Sequence, residues 1–416
     1  MRTFYNILIT FVAVALKITA LFNKKMAVFV KGRKNVFDQL ASKIGPGDKV
    51  IWFHCASLGE FEQAVPVIEN VRKLYASHKI LVSFFSPSGY EIKKNTPLAD
   101  VVVYLPMDTK RNVKKFLSHA HPDMVFFVKY EFWPNYLYRL QALQIPTFLI
   151  SGIFRKNQLF FSKYGKFMRK ALDAFTYFFV QNSESLHLIQ ALGYNNAILS
   201  GDTRFDRVSQ QLKHDNHVAF AENFTKERTS IVCGSTWQED EALLLDFMNS
   251  ASEEVCFIVA PHKIDKEKIE LFRNQLKKKS VLFSEVNEET KLQEFKILII
   301  DCIGLLSKLY VYADIAYVGG AAGNTGLHNI LEPATFGVPI VIGKNYDKFP
   351  EAIELKEKGG LFSVSTSEET SAIMEKLIFD ISLRKQTGEI SGNYIRENKG
   401  ATEKITTYLK QNFTEK

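Results

Sequence analysis

From residue 49 the chain alternates short, almost wholly apolar runs with longer stretches in which apolar residues recur every three or four positions. The runs at 49–55 (KVIWFHC), 80–85, 101–105, 124–128 (MVFFV), 147–150, 176–180 and 197–199 predict strands. Amphipathic patterns at 60–75, 109–119 and 183–192 predict helices between them. Continuous apolar strands alternating with helices are the pattern of a parallel sheet covered on both faces.

The alternation pauses at 206–228, which is polar and without a strand candidate, and then restarts at 230–234, 255–260, 296–301, 315–318, 339–342 and, more weakly, 362–364. The tail at 368–413 has a helical pattern. This order predicts an α/β protein of two Rossmann-like lobes facing a central cleft: an N-terminal lobe at 25–205, a linker at 206–228 and a C-terminal lobe at 229–416. Open sheets of this kind bind ligands beyond the carboxyl ends of their strands.

Ahead of the first lobe, residues 5–22 (YNILITFVAVALKITALF) carry Lys17 as their one charge. That is marginal for a spanning helix, which wants about 20 apolar residues. Lys24, Lys25, Lys31, Arg33 and Lys34 follow it, against Arg2 before it. Residues 1–24 are therefore expected to be a membrane anchor, with the body on the cytoplasmic side. A cleaved signal peptide is the competing reading, since residues 13–20 include small side chains.

Composition narrows the class. With 46% hydrophobic residues in 416, two cores can form without disulfides or metal. Cys55, Cys233, Cys256 and Cys302 stand apart in or beside apolar runs, as reduced core thiols do. The net charge of +8 fits an anionic membrane surface or an acidic substrate, and no nucleic-acid-binding signature accompanies it.

Candidate chemistry sits at three strand-to-helix turns. In HCASLGE (54–60), Glu60 falls in the first turn of a helix, near its positive dipole end; an ordinary helix-start carboxylate is the simpler alternative, and His54 by itself reads as a core or strand-end histidine. In KYEFWPN (129–135), Glu131 lies among aromatics and a proline, where desolvation opposite Glu60 would shift a pKa for acid–base work. In GGAAGNTGLHNILEP (319–333), a strand enters a glycine-rich loop that can aim backbone N–H groups at a phosphate, with Glu332 beyond it for a ribose. That loop has neither the dinucleotide fingerprint nor the P-loop spacing. The chain also has no Asp-x-Asp and no H-E-x-x-H, so no metal or other cofactor is expected.

Taken in order, HCASLGE (54–60), SPSG (86–89), YLPMD (104–108), EFWPN (131–135), GDTRFD (201–206), GSTWQEDE (234–241), APHK (260–263), IG (303–304) and HNILEPATFGVP (328–339) resemble the bacterial 3-deoxy-D-manno-octulosonic acid (Kdo) transferases. The resemblance implies a GT-B, inverting, metal-independent enzyme that moves Kdo from CMP-Kdo to the lipid A precursor, lipid IVA. It implies that Glu60 is the general base and that Glu131 and Arg204 stabilise the transition state. It also implies that CMP is held by Pro261 and His262, by Ile303, Gly304 and Leu305, and by Asn329, Ile330, Leu331 and Glu332. The chain departs from the family pattern at three of these places, with Arg204 for lysine, Leu305 for glutamate and His262 for arginine. A GT-B enzyme using a UDP-sugar is the nearest alternative, and a membrane-tethered, two-lobed solute-binding protein the next.

Overall fold

The computed structural model of the protein describes residues 1–413. Its first sheet holds β1 (Lys49–Cys55), β2 (His78–Phe84), β3 (Val101–Tyr104), β4 (Met124–Val128), β5 (Thr147–Gly152), β6 (Tyr177–Val180) and β7 (Ala197–Leu199), in the order β3-β2-β1-β4-β5-β6-β7. The second holds β8 (Thr229–Thr236), β9 (Val255–Pro261), β10 (Ser280–Leu282), β11 (Ile297–Ile299), β12 (Ile315–Val318), β13 (Ile340–Ile342) and β14 (Leu361–Ser363), in the order β10-β11-β9-β8-β12-β13-β14. The described pairings are parallel, as continuous apolar strands require. All five residues of β4 are buried, and the Phe53 and Phe126 rings stack at 4.6 Å across β1 and β4.

Every strand expected from the pattern is present, and β10 is the addition. It is a three-residue edge strand following a run of lysines, too short and too charged on its flank for periodicity to reveal. In both sheets the chain order reverses beside the first strand, between β1 and β4 and between β8 and β12. Such reversal points leave a crevice at the carboxyl ends of the two central strands.

The chain divides into two compact units, Met1–Arg207 with the stretch from Lys399 onward, and Val208–Asn398. This corrects the expected boundaries in two places. Residues 206–228 are not a structureless linker: helices Thr203–Gln210 and Ala219–Thr225 occupy most of the segment, and Ala221 and Phe224 enter the second unit's core. The last helix, Ala401–Asn412, belongs to the first unit and not to the C-terminal lobe. Its Ile405 and Leu409 pack into a first-unit core with Val67 and Ile68, and the Asp206 carboxylate accepts the Gly400 N–H at 2.7 Å and the Thr402 N–H at 3.0 Å. An amphipathic pattern says that a helix face is buried, not which core buries it.

Four helices open the first unit: α1 (Arg2–Thr19), α2 (Lys24–Lys31), α3 (Val36–Lys43) and α4 (Leu58–Leu74). By length and composition α1 could cross a membrane, and none of its residues is buried. It stops at Thr19, so the last three residues of the apolar stretch fall in the turn before α2. The cysteines are free, with Cys55, Cys233 and Cys256 buried.

Candidate functional site

Glu60 follows β1 and Glu131 follows β4, the two strands flanking the reversal point of the first sheet. Both charges help to raise the Cys55 thiol and the Tyr130 phenol, after burial as the main cause, so the two carboxylates share one neighbourhood. Glu60 does cap α4. Its Oε2 accepts the Ser57 N–H at 2.6 Å and the Ser57 hydroxyl at 2.7 Å. The helix-start reading therefore holds, and both bonds use one oxygen, which leaves Oε1 outside the capping box.

Glu131 has a side chain only 12% exposed, consistent with its aromatic surroundings. The Trp133 indole N–H donates to its Oε2 at 2.9 Å, and His54 Nε2 lies 3.3 Å from the same oxygen. On its other side, the His54 ring meets Ser83 Oγ at 2.9 Å, and Ser83 Oγ accepts the Trp52 indole N–H at 2.7 Å. The strand register makes this chain, since His54 sits opposite Ser83 on β2 and Phe127 on β4. His54 is fully buried, as a core histidine would be, yet its ring touches the candidate site.

Arg204 lies beyond β7 and reaches the same helix indirectly. Its Nε donates to Asp202 Oδ2 at 2.7 Å, while Gln63 on α4 donates to Asp202 Oδ1 at 2.9 Å. Burial opposes ionisation of Asp202, but Arg204 and these hydrogen bonds hold its pKa below the ordinary value.

The second unit gathers its candidates around β8, β9 and β12. His262, at the end of β9, stacks on Trp237 at 4.7 Å, and His328 follows at 4.3 Å from His262. The Trp237 indole N–H donates to His328 Nε2 at 3.1 Å, and Lys263 stands 4.8 Å over the Trp237 ring. The histidine in the arginine place thus builds an aromatic ledge with a cation beside it. Burial, then the neighbouring His262, lower His328 to about 4, so its ring is neutral and able to accept that bond.

The glycine-rich loop differs from expectation. Gly320 and Ala322 direct their N–H groups at Asp240, at 2.8 and 3.3 Å, and Asp240 also accepts from Trp237 N at 2.9 Å and the Tyr317 hydroxyl at 2.9 Å. These two donors are occupied from inside the fold and are not free for a phosphate. A buried carboxylate takes the anion's place, with its pKa raised by burial and pulled back by the four donors. Gly320 has a φ of +97°, and a Cβ there would meet the Gly326 carbonyl oxygen at 2.1 Å, so the loop needs glycine at this position.

The helix that the loop opens begins only at Leu331, which puts Glu332 in its first turn. Asn329 Nδ2 donates to Glu332 Oε1 at 3.0 Å. Ile330 and Leu331 bury their side chains at 1% and 0% exposure and can offer a ligand no more than backbone. Gly304 turns with φ +95° after β11, leaving Ile303 88% exposed beside it, with Leu305 following. Pro261 ends β9. Trp237 and Asp240 lie within GSTWQEDE and Asp202 within GDTRFD, though those motifs assign them no role, and Gln63 lies outside every quoted motif. No group of three or more potential metal-ligating side chains occurs among the described residues.

Residues 30–207 match the family model described as 3-deoxy-D-manno-octulosonic-acid transferase (kdotransferase). The 3-deoxy-D-manno-octulosonic acid transferase of Haemophilus influenzae is 26% identical over 376 residues, covering 88% of this chain and 87% of that one. That of Aquifex aeolicus is 25% identical over 355 residues, covering 83% and 92%. A bifunctional glycosyltransferase/methyltransferase of Fusobacterium nucleatum is 27% identical over 366 residues; the match takes in 85% of this chain and 56% of that longer relative. Among solved structures, the UDP-GlcNAc 2-epimerase of Neisseria meningitidis superposes with a TM-score of 0.63 at 15% identity, covering 88% of this chain and all (100%) of that one. The MurG of Acinetobacter baumannii does so at 0.51 and 11%, covering 88% and 99%. Two seven-stranded parallel sheets with neighbours of this kind define a GT-B type fold. Within that class, residues 30–207 match the Kdo transferase family model, and relatives named as Kdo transferases align over more than four-fifths of the chain.

Proposed function

We propose that the protein transfers Kdo from CMP-Kdo to the lipid A precursor, lipid IVA, with inversion and without a metal ion, at the cytoplasmic face of the inner membrane. The observation that carries this reading is the pair of carboxylates at the reversal point of the first sheet, with Glu60 Oε1 left outside the capping box. Glu60 takes the proton of the acceptor hydroxyl as that oxygen attacks the anomeric carbon of Kdo. The bond from that carbon to the phosphate oxygen breaks, and CMP leaves with the electron pair. One base and a stabilised leaving group suffice for such a displacement.

Glu131, aimed by Trp133 and His54, and Arg204, aimed by Asp202, act on the charge that develops. The second unit binds the donor. The Trp237–His262–His328 ledge and Lys263 suit an aromatic base with a phosphate nearby, and Glu332 with Asn329 suits the ribose. The names of the relatives support the sugar; the donor nucleotide, the acceptor and the stereochemistry rest on the family resemblance, and the membrane face rests on the basic residues that follow 5–22.

The test incubates the full-length protein with CMP-Kdo and lipid IVA and weighs the product by mass spectrometry, with and without EDTA. A product heavier by Kdo, undiminished by EDTA and lowered roughly 10²–10⁴-fold by Glu60→Gln, is the expected result. Turnover of a UDP-sugar instead, or a Glu60→Gln variant keeping more than half of the activity, rejects the reading.

A further inference from the structure

Helix α1 is pinned to the first unit along one stripe. Tyr5 donates its hydroxyl to Asp108 Oδ2 at 2.7 Å, Asn135 Nδ2 donates to Asn6 Oδ1 at 2.8 Å, and the Arg2 guanidinium lies 4.5 Å from the centre of the Tyr138 ring. Phe4, Ile7, Leu8, Phe11, Val14 and Ile18 remain exposed. A helix of 18 residues rises about 27 Å, short of a bilayer core of about 30 Å. One polar stripe held by protein and one exposed apolar stripe suit a helix lying in the membrane interface.

Between α1, α2 and residues 106–112 runs a groove of about 930 Å³. Small and apolar residues wall it, among them Ala13 and Ala20 from the α1 side and Ala27 and Val30 of α2. Lys17, Lys31, Lys34, Lys110 and Arg111 also line it, and no carboxylate does so among the described residues. A sixth cation, Arg33, is held in the wall by the carbonyl oxygens of Phe29, Leu105 and Phe85, with its guanidinium 3.5 Å from the Phe29 ring centre. Burial lowers Arg33 to about 10, which leaves it charged at neutral pH. The groove therefore combines apolar walls with uncompensated positive charge, a pairing that an amphiphile with an anionic head completes.

We infer that this groove binds one anionic glycerophospholipid of the bilayer, an acyl chain lying along Ala13, Ala20 and Ala27 and the phosphate held by Lys31, Lys34, Lys110 and Arg111. The inference deepens the membrane reading of α1 proposed above, and the bound lipid would fix α1 in the interface plane.

The full-length protein is titrated by calorimetry with short-chain phosphatidylglycerol below its micelle concentration. Phosphatidylcholine of the same chain length and glycerol 3-phosphate serve as comparators. Phosphatidylglycerol should bind at least tenfold tighter than phosphatidylcholine, and glycerol 3-phosphate should not bind. Ala27→Phe, which fills the groove without changing charge, should abolish binding, and Lys31→Glu with Lys110→Glu should abolish the preference for the anionic lipid. Unchanged melting temperatures establish that the variants fold; a variant that fails this check is replaced by Ala13→Leu or by Lys31→Gln with Lys110→Gln. Equal binding of the two lipids, binding of glycerol 3-phosphate, or undiminished binding by Ala27→Phe overturns the inference. Co-sedimentation of Ala27→Phe with phosphatidylglycerol vesicles separates the two readings. It should still pellet through the exposed face of α1, whereas failure of the wild type to pellet removes the membrane reading and leaves the groove to be judged by calorimetry.

Discussion

Asp240 accepts the backbone N–H of Gly320 at 2.8 Å, although 80 residues separate them in sequence. Asp240→Ala would strand the buried Gly320 N–H and Tyr317 hydroxyl and leave the part-buried Ala322 and Trp237 N–H groups without their acceptor. A stranded buried donor costs about 1–3 kcal/mol. Asp240→Ala is therefore expected to destabilise the second unit by at least about 3 kcal/mol in urea unfolding, and to weaken CMP binding through loss of the loop. Asp240→Asn, which keeps one acceptor oxygen, should lose less. A variant of wild-type stability would mean that the loop closes without this carboxylate.

Trp133 and His54 converge on one oxygen of Glu131. Trp133→Phe keeps the ring that packs on Phe85 at 4.8 Å but removes the indole donor. Hydrogen bonds to a charged group contribute about 1.5–3 kcal/mol, so kcat should fall roughly tenfold to a hundredfold while the donor KM stays put. Glu131→Gln should fall further, by about 10²–10³. If Trp133→Phe turns over at the wild-type rate, the indole does not position Glu131.

Glu332 and Asn329 are paired at the start of their helix. A carboxylate bonded to a ribose hydroxyl is worth about 1.5–3 kcal/mol, so Glu332→Ala should weaken CMP binding by roughly tenfold to a hundredfold in calorimetry. Asn329→Ala, which loosens the carboxylate without removing it, should cost less. Equal CMP affinities in the wild type and Glu332→Ala would make Glu332 structural.

His328 is lowered from the ordinary 6.5 to about 4, by burial first and His262 second. Between those values the unfolded chain binds a proton that the folded chain refuses. The stability contributed by the neutral ring is therefore complete above pH 6.5 and lost as pH falls toward 4. Melting temperature should drop more steeply from pH 7 to pH 5 in the wild type than in His328→Gln, whose side chain cannot take a proton. Parallel slopes would show that other groups set the acid sensitivity.

The β1 bounds, the two α/β units and the position of Glu131 among aromatics were all legible in the residue pattern. So was the turn that carries Glu60, though not that its carboxylate both caps α4 and keeps an oxygen spare. Apolar periodicity records which side of each element meets a core, and turn chemistry records where elements end. Neither records which elements become neighbours.

That is why the linker expected at 206–228 became two helices, why the last helix returned to the first unit, and why two N–H groups of the glycine loop turned to Asp240. By itself the sequence determined the class of fold, the strand-end turns and the types of residue placed there. Only the tertiary structure decided the partners: Asp240 for Gly320, His54 for Glu131, Asp202 for Arg204 and Tyr5 for Asp108. Apart from Asp202, two residues from Arg204, these partners are far apart along the chain. Strand order and the desolvation of whole cores bring them together, and both are properties of the assembled sheet that no local window of sequence contains.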